Sequence, residues 1–196
     1  INVENAIGAV GLMWAAAHQR GEALDEEGIR KALDTFSGVR RRFDFHINTT
    51  SLIYMDDYAH HPEELRAAIG SVREMFPGRR ITAIFQPHLY SRTRDFYTGF
   101  AEALSLADDV VLLPIYPARE LPIEGVSSEM IADRLTVPYR IVPLADIASE
   151  IARMPGLDIV ISFGAGDIDT KCGDIALELG SYGGQNHNNP TTTGKE

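Results

Sequence analysis

The hydrophobic positions change their period at one junction in particular. Leu52, Ile53, Tyr54 and Met55 form an apolar run that ends in Asp56-Asp57-Tyr58-Ala59-His60-His61-Pro62, after which Leu65, Ile69, Val72 and Phe76 recur three to four apart. The first pattern predicts a buried strand and the second predicts one face of a helix. Pro62 suits a first helical turn, where its missing N–H costs nothing, and Glu63 and Glu64 favour the positive end of the helix dipole. Acids and histidines therefore crowd the point where a strand gives way to a helix.

Upstream, Ile7, Val10, Met13, Trp14 and Ala17 make an apolar stripe on a helix from Asn2 to about Arg20. The stretch Ala6 to Ala17 is too short to span a bilayer and reads as a core helix. Asp25 caps a second predicted helix to about Thr35, with Ile29 and Leu33 turned inward. These two helices have no strands of their own and resemble the end of a preceding domain. Phe36 to Arg42, with Gly38 and three consecutive arginines, is the linker. Phe43 to Ile47 alternates like a strand and forms a hairpin with the Leu52 strand across the Asn48-Thr-Thr-Ser turn.

Downstream the order strand, loop, helix repeats. Strands are predicted at Ile81–Phe85, Val110–Leu113, Tyr139–Val142 and Asp158–Phe163. Helices are predicted from Thr93 or Asp95 to about Leu106, at Glu129–Leu135, at Ala145–Arg153 and from the Gly164-Ala-Gly-Asp-Ile-Asp loop to about Leu179. Such alternation implies an α/β fold with a mainly parallel, twisted sheet flanked by helices. The expected organisation is residues 1–38 as preceding-domain helices and linker, 39–180 as the α/β domain, and 181–196 as a flexible Gly/Asn/Thr-rich tail.

Composition narrows the class only a little. The 196 residues are 44% hydrophobic and 23% charged, as in soluble globular proteins, and the formal charge of -10 argues against nucleic-acid or anionic-membrane binding. One cysteine, Cys172, rules out an intrachain disulfide and suits a reducing cytosol. It reads as a buried small side chain. No signal peptide opens the chain, and a start at Ile1 without methionine is expected of a piece of a longer protein.

Four strand ends carry unusual residues: DDYAHHP, QPHLYSRTRD, LPIYPARE and GAGDID. In a parallel sheet all four loops leave the same edge, where ligands bind. Asp56, Asp57, Tyr58, His60, His61, His88, Arg92, Arg94, Arg119 and Asp167 are expected to share that cleft. The mixture suits recognition of an anion beside a proton-handling group. Arg92 and Arg94 could together grip a carboxylate or phosphate. His60 or His88 could orient or deprotonate an amine near neutral pH. Asp57 could accept a hydrogen bond from a ribose, and the Arg40–Arg42 run could clamp a nucleotide. A zinc site at Asp57, His60 and His61 is disfavoured because adjacent histidines point apart, so no metal ligands are assigned.

With these motifs in hand, the chain resembles the C-terminal part of the Mur ligase family, in the subgroup that adds L-alanine. The resemblance runs from Asn2 to about Leu179 and is carried by Asp56–Pro62, by Phe85–Arg94 and by Gly125–Met130 (GVSSEM). It implies a Rossmann-like C-terminal domain in a bacterial cytoplasmic enzyme of peptidoglycan precursor synthesis. ATP and Mg2+ would activate the lactyl carboxylate of UDP-N-acetylmuramate as an acyl phosphate for attack by the L-alanine amine. By the same resemblance Asn5 meets the adenine, Arg41 or Arg42 meets the nucleotide, and Asp57 lies near the ribose. Tyr58, His60, His88 and Arg92 line the amino-acid pocket, with Arg94 beside them as a further substrate contact and His60 and His88 as the proton-handling candidates. Ile1 and Leu89 depart from the family, which often has His and Arg there.

No GxxxxGK[ST] loop occurs in these residues. Mg2+ and most of the ATP are thus expected to be held by a central domain outside them, and the chain by itself is expected to be inactive. Two rival readings are a ligase for a whole tripeptide and a non-catalytic nucleotide-binding module.

Overall fold

The computed structural model describes residues 2–36 and 38–185. The chain divides into two compact units, Ile1–Arg40 and Arg41–Glu196. In the first, α1 (Asn2–Arg20) and α2 (Glu26–Asp34) lie where the periodicity predicts, and the Asp25 carboxylate caps α2 by accepting from the Gly28 N–H at 2.9 Å. The core-helix expectation for Ala6–Ala17 is not met: Ile7, Met13 and Trp14 are 68%, 50% and 58% exposed. Leu33 is also exposed and no residue of α2 is buried. A stripe is buried only against a matching surface, and within this unit the one neighbour is a nine-residue helix.

The second unit is a six-stranded sheet in the order β1-β2-β6-β3-β4-β5. Its strands are β1 (Asp44–Asn48), β2 (Ile53–Asp57), β3 (Ile81–Phe85), β4 (Asp109–Leu112), β5 (Tyr139–Ile141) and β6 (Ile159–Phe163). All neighbours are parallel except the β1–β2 hairpin. Alternate residues of the central strands feed two cores. Met55, Phe85, Leu112 and Phe163 pack with α3 (Pro62–Met75), α4 (Tyr90–Leu104) and α5 (Glu129–Ala132) on one face. Tyr54, Ile84, Val111 and Val160 pack with α6 (Ile147–Ala152) and α7 (Cys172–Gln185) on the other. Covering both faces is what makes β2, β3 and β6 buried at every position rather than at alternate ones. Because the helix after β6 lies on the face opposite those after β2 and β3, a crevice opens at the carboxyl ends of these three strands.

Three boundaries differ from the sequence reading in ways that matter. Asp56 and Asp57 belong to β2 itself and are only 3% and 8% exposed. α4 begins at Tyr90, so Arg92 and Arg94 are helical rather than part of a loop. α7 runs to Gln185, beyond the predicted end near Leu179 and into the stretch read as a tail; the remainder of that tail, from residue 186, lies outside the described residues, as does Ile1.

Candidate functional site

The β2 edge is held by a network around Asp56. The register of β1 slips between Phe45 and Ile47, which leaves His46 as an extra residue opposite β2. Such a bulge re-aims a side chain, and here His46 Nε2 comes 2.8 Å from Asp56 Oδ1. The other Asp56 oxygen accepts from Arg41 Nε at 3.3 Å, while Arg41 Nη2 donates to the Gly164 carbonyl at 2.5 Å. Arg41 also faces Asp169 at 3.5 Å and lies 4.9 Å over the Tyr58 ring. Its guanidinium is therefore committed to holding the β2 and β6 ends together. Arg42 is exposed beside it.

Asp57 shapes the turn that follows. Its oxygens accept the backbone N–H groups of Ala59 at 2.9 Å and Phe43 at 3.1 Å. Burial pushes its pKa up, against those two hydrogen bonds and the nearby charge of Arg42. Glu64 ties the same turn from the helix side, accepting from the His60 and His61 N–H groups at 2.8 and 3.1 Å.

An imidazole cluster fills the crevice. His60 lies 6.3 Å from His88 and 5.0 Å from His61 between ring centroids, with Tyr58 edge-on at 5.1 Å. His60 Nδ1 sits 2.9 Å from the Tyr58 carbonyl. A carbonyl only accepts, so Nδ1 carries the proton and the Nε2 lone pair is open to a substrate proton in the neutral ring. His88 stacks on Tyr116 at 5.6 Å. Two polar atoms here, His88 Nδ1 and Arg92 Nη1, are buried with no hydrogen-bond partner among the described residues. Arg92 forms no ion pair among them either. Buried donors left unsatisfied cost about 1–3 kcal/mol each, so such atoms mark a place for something else.

Not every expected residue joins this cluster. Arg94 cannot grip an anion together with Arg92, because residues two apart on a helix face different directions. Arg94 is exposed and pairs with Asp95 at 2.8 Å. Arg119 is exposed. Asp167 Oδ1 accepts from Gln86 Nε2 at 2.6 Å. Asn5 belongs to the first unit, on an apolar cavity of about 360 Å³ lined also by Val10, Met13, Ile29, Leu33 and Phe36. For the disfavoured zinc reading, both Asp57 oxygens already hold backbone N–H groups. His46, Asp56 and Cys172 do place ligand atoms within 4.8 Å of one another. Asp56 there is shared by His46 and Arg41, and burial pushes the Cys172 thiol up.

Residues 41–166 match the family model described as Mur ligase, glutamate ligase domain. The chain belongs to the Mur ligase family. It is 46% identical over 169 residues to the UDP-N-acetylmuramate–L-alanine ligase of Parabacteroides distasonis, covering 86% of this chain and 35% of that protein. It is 50% identical over 159 residues to the Flavobacterium johnsoniae ligase of the same name, covering 81% and 35%. The chain thus spans about a third of the length of these curated relatives. Among solved structures, UDP-N-acetylmuramate–alanine ligase from Thermotoga maritima matches with a TM-score of 0.70 and 29% identity, over 92% of this chain and 38% of that one.

Within this Mur ligase domain, linear reasoning missed His46, Gln86, Tyr116 and Glu120. Gln86 stands directly after a buried strand and is itself buried, which is a usable signal. Its side chain joins two loops, donating to Asp167 and accepting the Ile168 N–H at 2.9 Å. His46 depends on a bulge and Glu120 on a contact 29 residues away, and neither leaves a trace in local spacing.

The cluster also makes the fold sensitive to acid. Burial lowers the pKa of both His61 and His88 from the ordinary 6.5, and the Arg92 charge adds to it in each case. Between the lowered folded values and about 6.5 the unfolded chain binds more protons, so stability present above pH 6.5 is lost as pH falls. The raised pKa of Asp57 acts with the opposite sign, so the comparison that isolates the imidazole is with His88→Asn. The melting temperature of the wild type is expected to fall more steeply from pH 7.5 to 5.5 than that of His88→Asn. Equal slopes would show that His88 is not kept neutral by the fold.

Proposed function

We propose that this chain is the C-terminal part of an ATP-dependent ligase that joins L-alanine to UDP-N-acetylmuramate in peptidoglycan precursor synthesis, and that its own contribution is the amino-acid pocket. The observation that carries this reading is the pair of unpartnered buried atoms, His88 Nδ1 and Arg92 Nη1, beside His60. A small amino acid supplies what the pocket lacks. Its carboxylate accepts from Arg92 and from a His88 ring N–H, and its ammonium gives a proton to His60 Nε2. The deprotonated amine then attacks the activated lactyl carbonyl carbon, and the tetrahedral adduct collapses as phosphate leaves with the bonding electrons and takes up the second N–H proton.

ATP, with Mg2+ held mainly by residues outside this chain, supplies the phosphoryl group that activates the carboxylate. The residue of the second unit that fits a share of the nucleotide is the exposed Arg42, whose charge is not taken up by the sheet edge as that of Arg41 is. Asp57 keeps lone pairs beyond the two it gives to backbone N–H groups, enough for one ribose hydroxyl. The reading implies a bacterial cytoplasmic enzyme. No helix among the described residues is long and apolar enough to cross a membrane.

The decisive test is ADP release by the longer protein that contains this chain, given Mg-ATP, UDP-N-acetylmuramate and either L-alanine or a tripeptide. Turnover with alanine, and none by the 196-residue chain alone, is the expected result. A preference for the tripeptide would transfer the pocket to that acceptor. No turnover with either would overturn the ligase reading in favour of nucleotide binding.

A further inference from the structure

The segment after β4 lies against the site as a strap. The Tyr116 N–H donates to the Pro87 carbonyl at 2.8 Å, and the Leu89 N–H donates back to the Tyr116 carbonyl at 2.9 Å. The Tyr116 ring thereby stacks on His88. The root of that side chain meets Gly166, where an added Cβ would come within 2.7 Å of Tyr116 Cβ and Cγ. The far end of the strap is fastened at α4. Glu120 accepts from the Ser91 N–H at 2.9 Å through Oε2 and from the Ser91 hydroxyl at 2.5 Å through Oε1.

α4 needs that carboxylate. Its cap, Leu89, offers no side-chain oxygen, its first turn holds no acid, and it carries Arg92 against the direction of its dipole. An acid ordinarily supplied within the first turn comes here from a different loop. The hydroxyl and N–H of Ser91 hold the Glu120 pKa below the usual carboxylate range, so the fastening stays charged near neutral pH.

We infer that Glu120 is a positioning residue for the amino-acid pocket: by pinning the 116–120 strap to the first turn of α4, it sets Tyr116 against His88 and fixes the approach of Arg92. The inference rests on the reading of His88 and Arg92 as the acceptor pocket. Glu120 itself does not touch the acceptor, so its loss is expected to loosen acceptor binding and leave nucleotide binding alone.

The experiment has two arms. In the longer protein, Glu120→Ala is expected to raise KM for L-alanine about tenfold with kcat and KM for ATP changed less than about threefold, and Glu120→Gln, which keeps one acceptor oxygen, to fall between. In the 196-residue chain, the His88 ring is followed by NMR through a pH titration. Glu120→Ala is expected to shift the His88 ring signals, as Tyr116 loses its register, and to lower the His88 pKa, because the Glu120 charge opposes its depression. An unchanged KM for alanine, or an equal rise in KM for every substrate, overturns the inference. If the wild-type longer protein does not use alanine, the functional reading fails by itself. The NMR arm then still decides about the strap: unaltered His88 signals and titration in Glu120→Ala would sink it.

Discussion

Replacing Arg92 by alanine is expected to lower kcat/KM for the amino-acid acceptor about 100-fold, since a hydrogen bond to a charged group contributes about 1.5–3 kcal/mol. The loss should appear mainly as a raised KM for the acceptor, with KM for ATP unchanged. Arg92 stands in the first turn of a 15-residue helix, where a cation opposes the dipole, and its Nη1 is buried without a partner among the described residues. Both features cost stability, and neither is repaid by a hydrogen bond or ion pair among the described residues. A residue whose local setting conflicts with the fold in this way is held there for a ligand. Lysine should not rescue the loss, because a point charge lacks the planar fork that a carboxylate engages. A second readout needs no turnover. The Arg92 charge lowers the pKa of both His61 and His88, so both rings should titrate at higher pH in the alanine variant. Unchanged acceptor KM together with unshifted imidazole titrations would remove Arg92 from the pocket.

Gly164→Ala is expected to destabilise the chain by about 3 kcal/mol, combining a backbone conformation open essentially to glycine alone with overpacking. Gly164 has φ of 142°, and a Cβ built on it would lie 2.8 Å from the Gln86 carbonyl oxygen. That neighbour is backbone at the end of the central strand pair, so it cannot rotate aside. The Gly164 carbonyl also receives the Arg41 guanidinium, so a shift there would loosen the Asp56 network as well. The measurement is the urea midpoint at constant slope, which reports stability without a change in the unfolded state. A loss below about 1 kcal/mol would mean that the β3 and β6 loops adjust freely, contrary to their packing.

Much of the second unit was legible in linear order. The runs at Leu52–Met55, Ile81–Phe85 and Asp158–Phe163 predict strands, and those strands form the centre of the sheet. Pro62 with Glu63 and Glu64 marks the start of α3 at the residue where it begins. The start of α4 was not legible, because its cap is a leucine at φ of 72° and its anion is borrowed from Glu120. Capping signals are read from neighbours in sequence, and here the neighbour is spatial.

The sequence by itself determined the order of strands and helices, the mainly parallel sheet and the motifs that point to the family. These are properties of local burial and spacing, repeated along the chain. The tertiary structure alone decided which candidates come together. Helix phase separates Arg92, turned into the crevice, from Arg94, turned out to Asp95. Sheet packing joins Arg41 to a carbonyl 123 residues away and leaves Arg42 exposed. A one-residue bulge delivers His46 to Asp56. Each of these outcomes depends on strand register and on how a crossover returns to the sheet, and side-chain spacing carries no record of contacts closed over such distances.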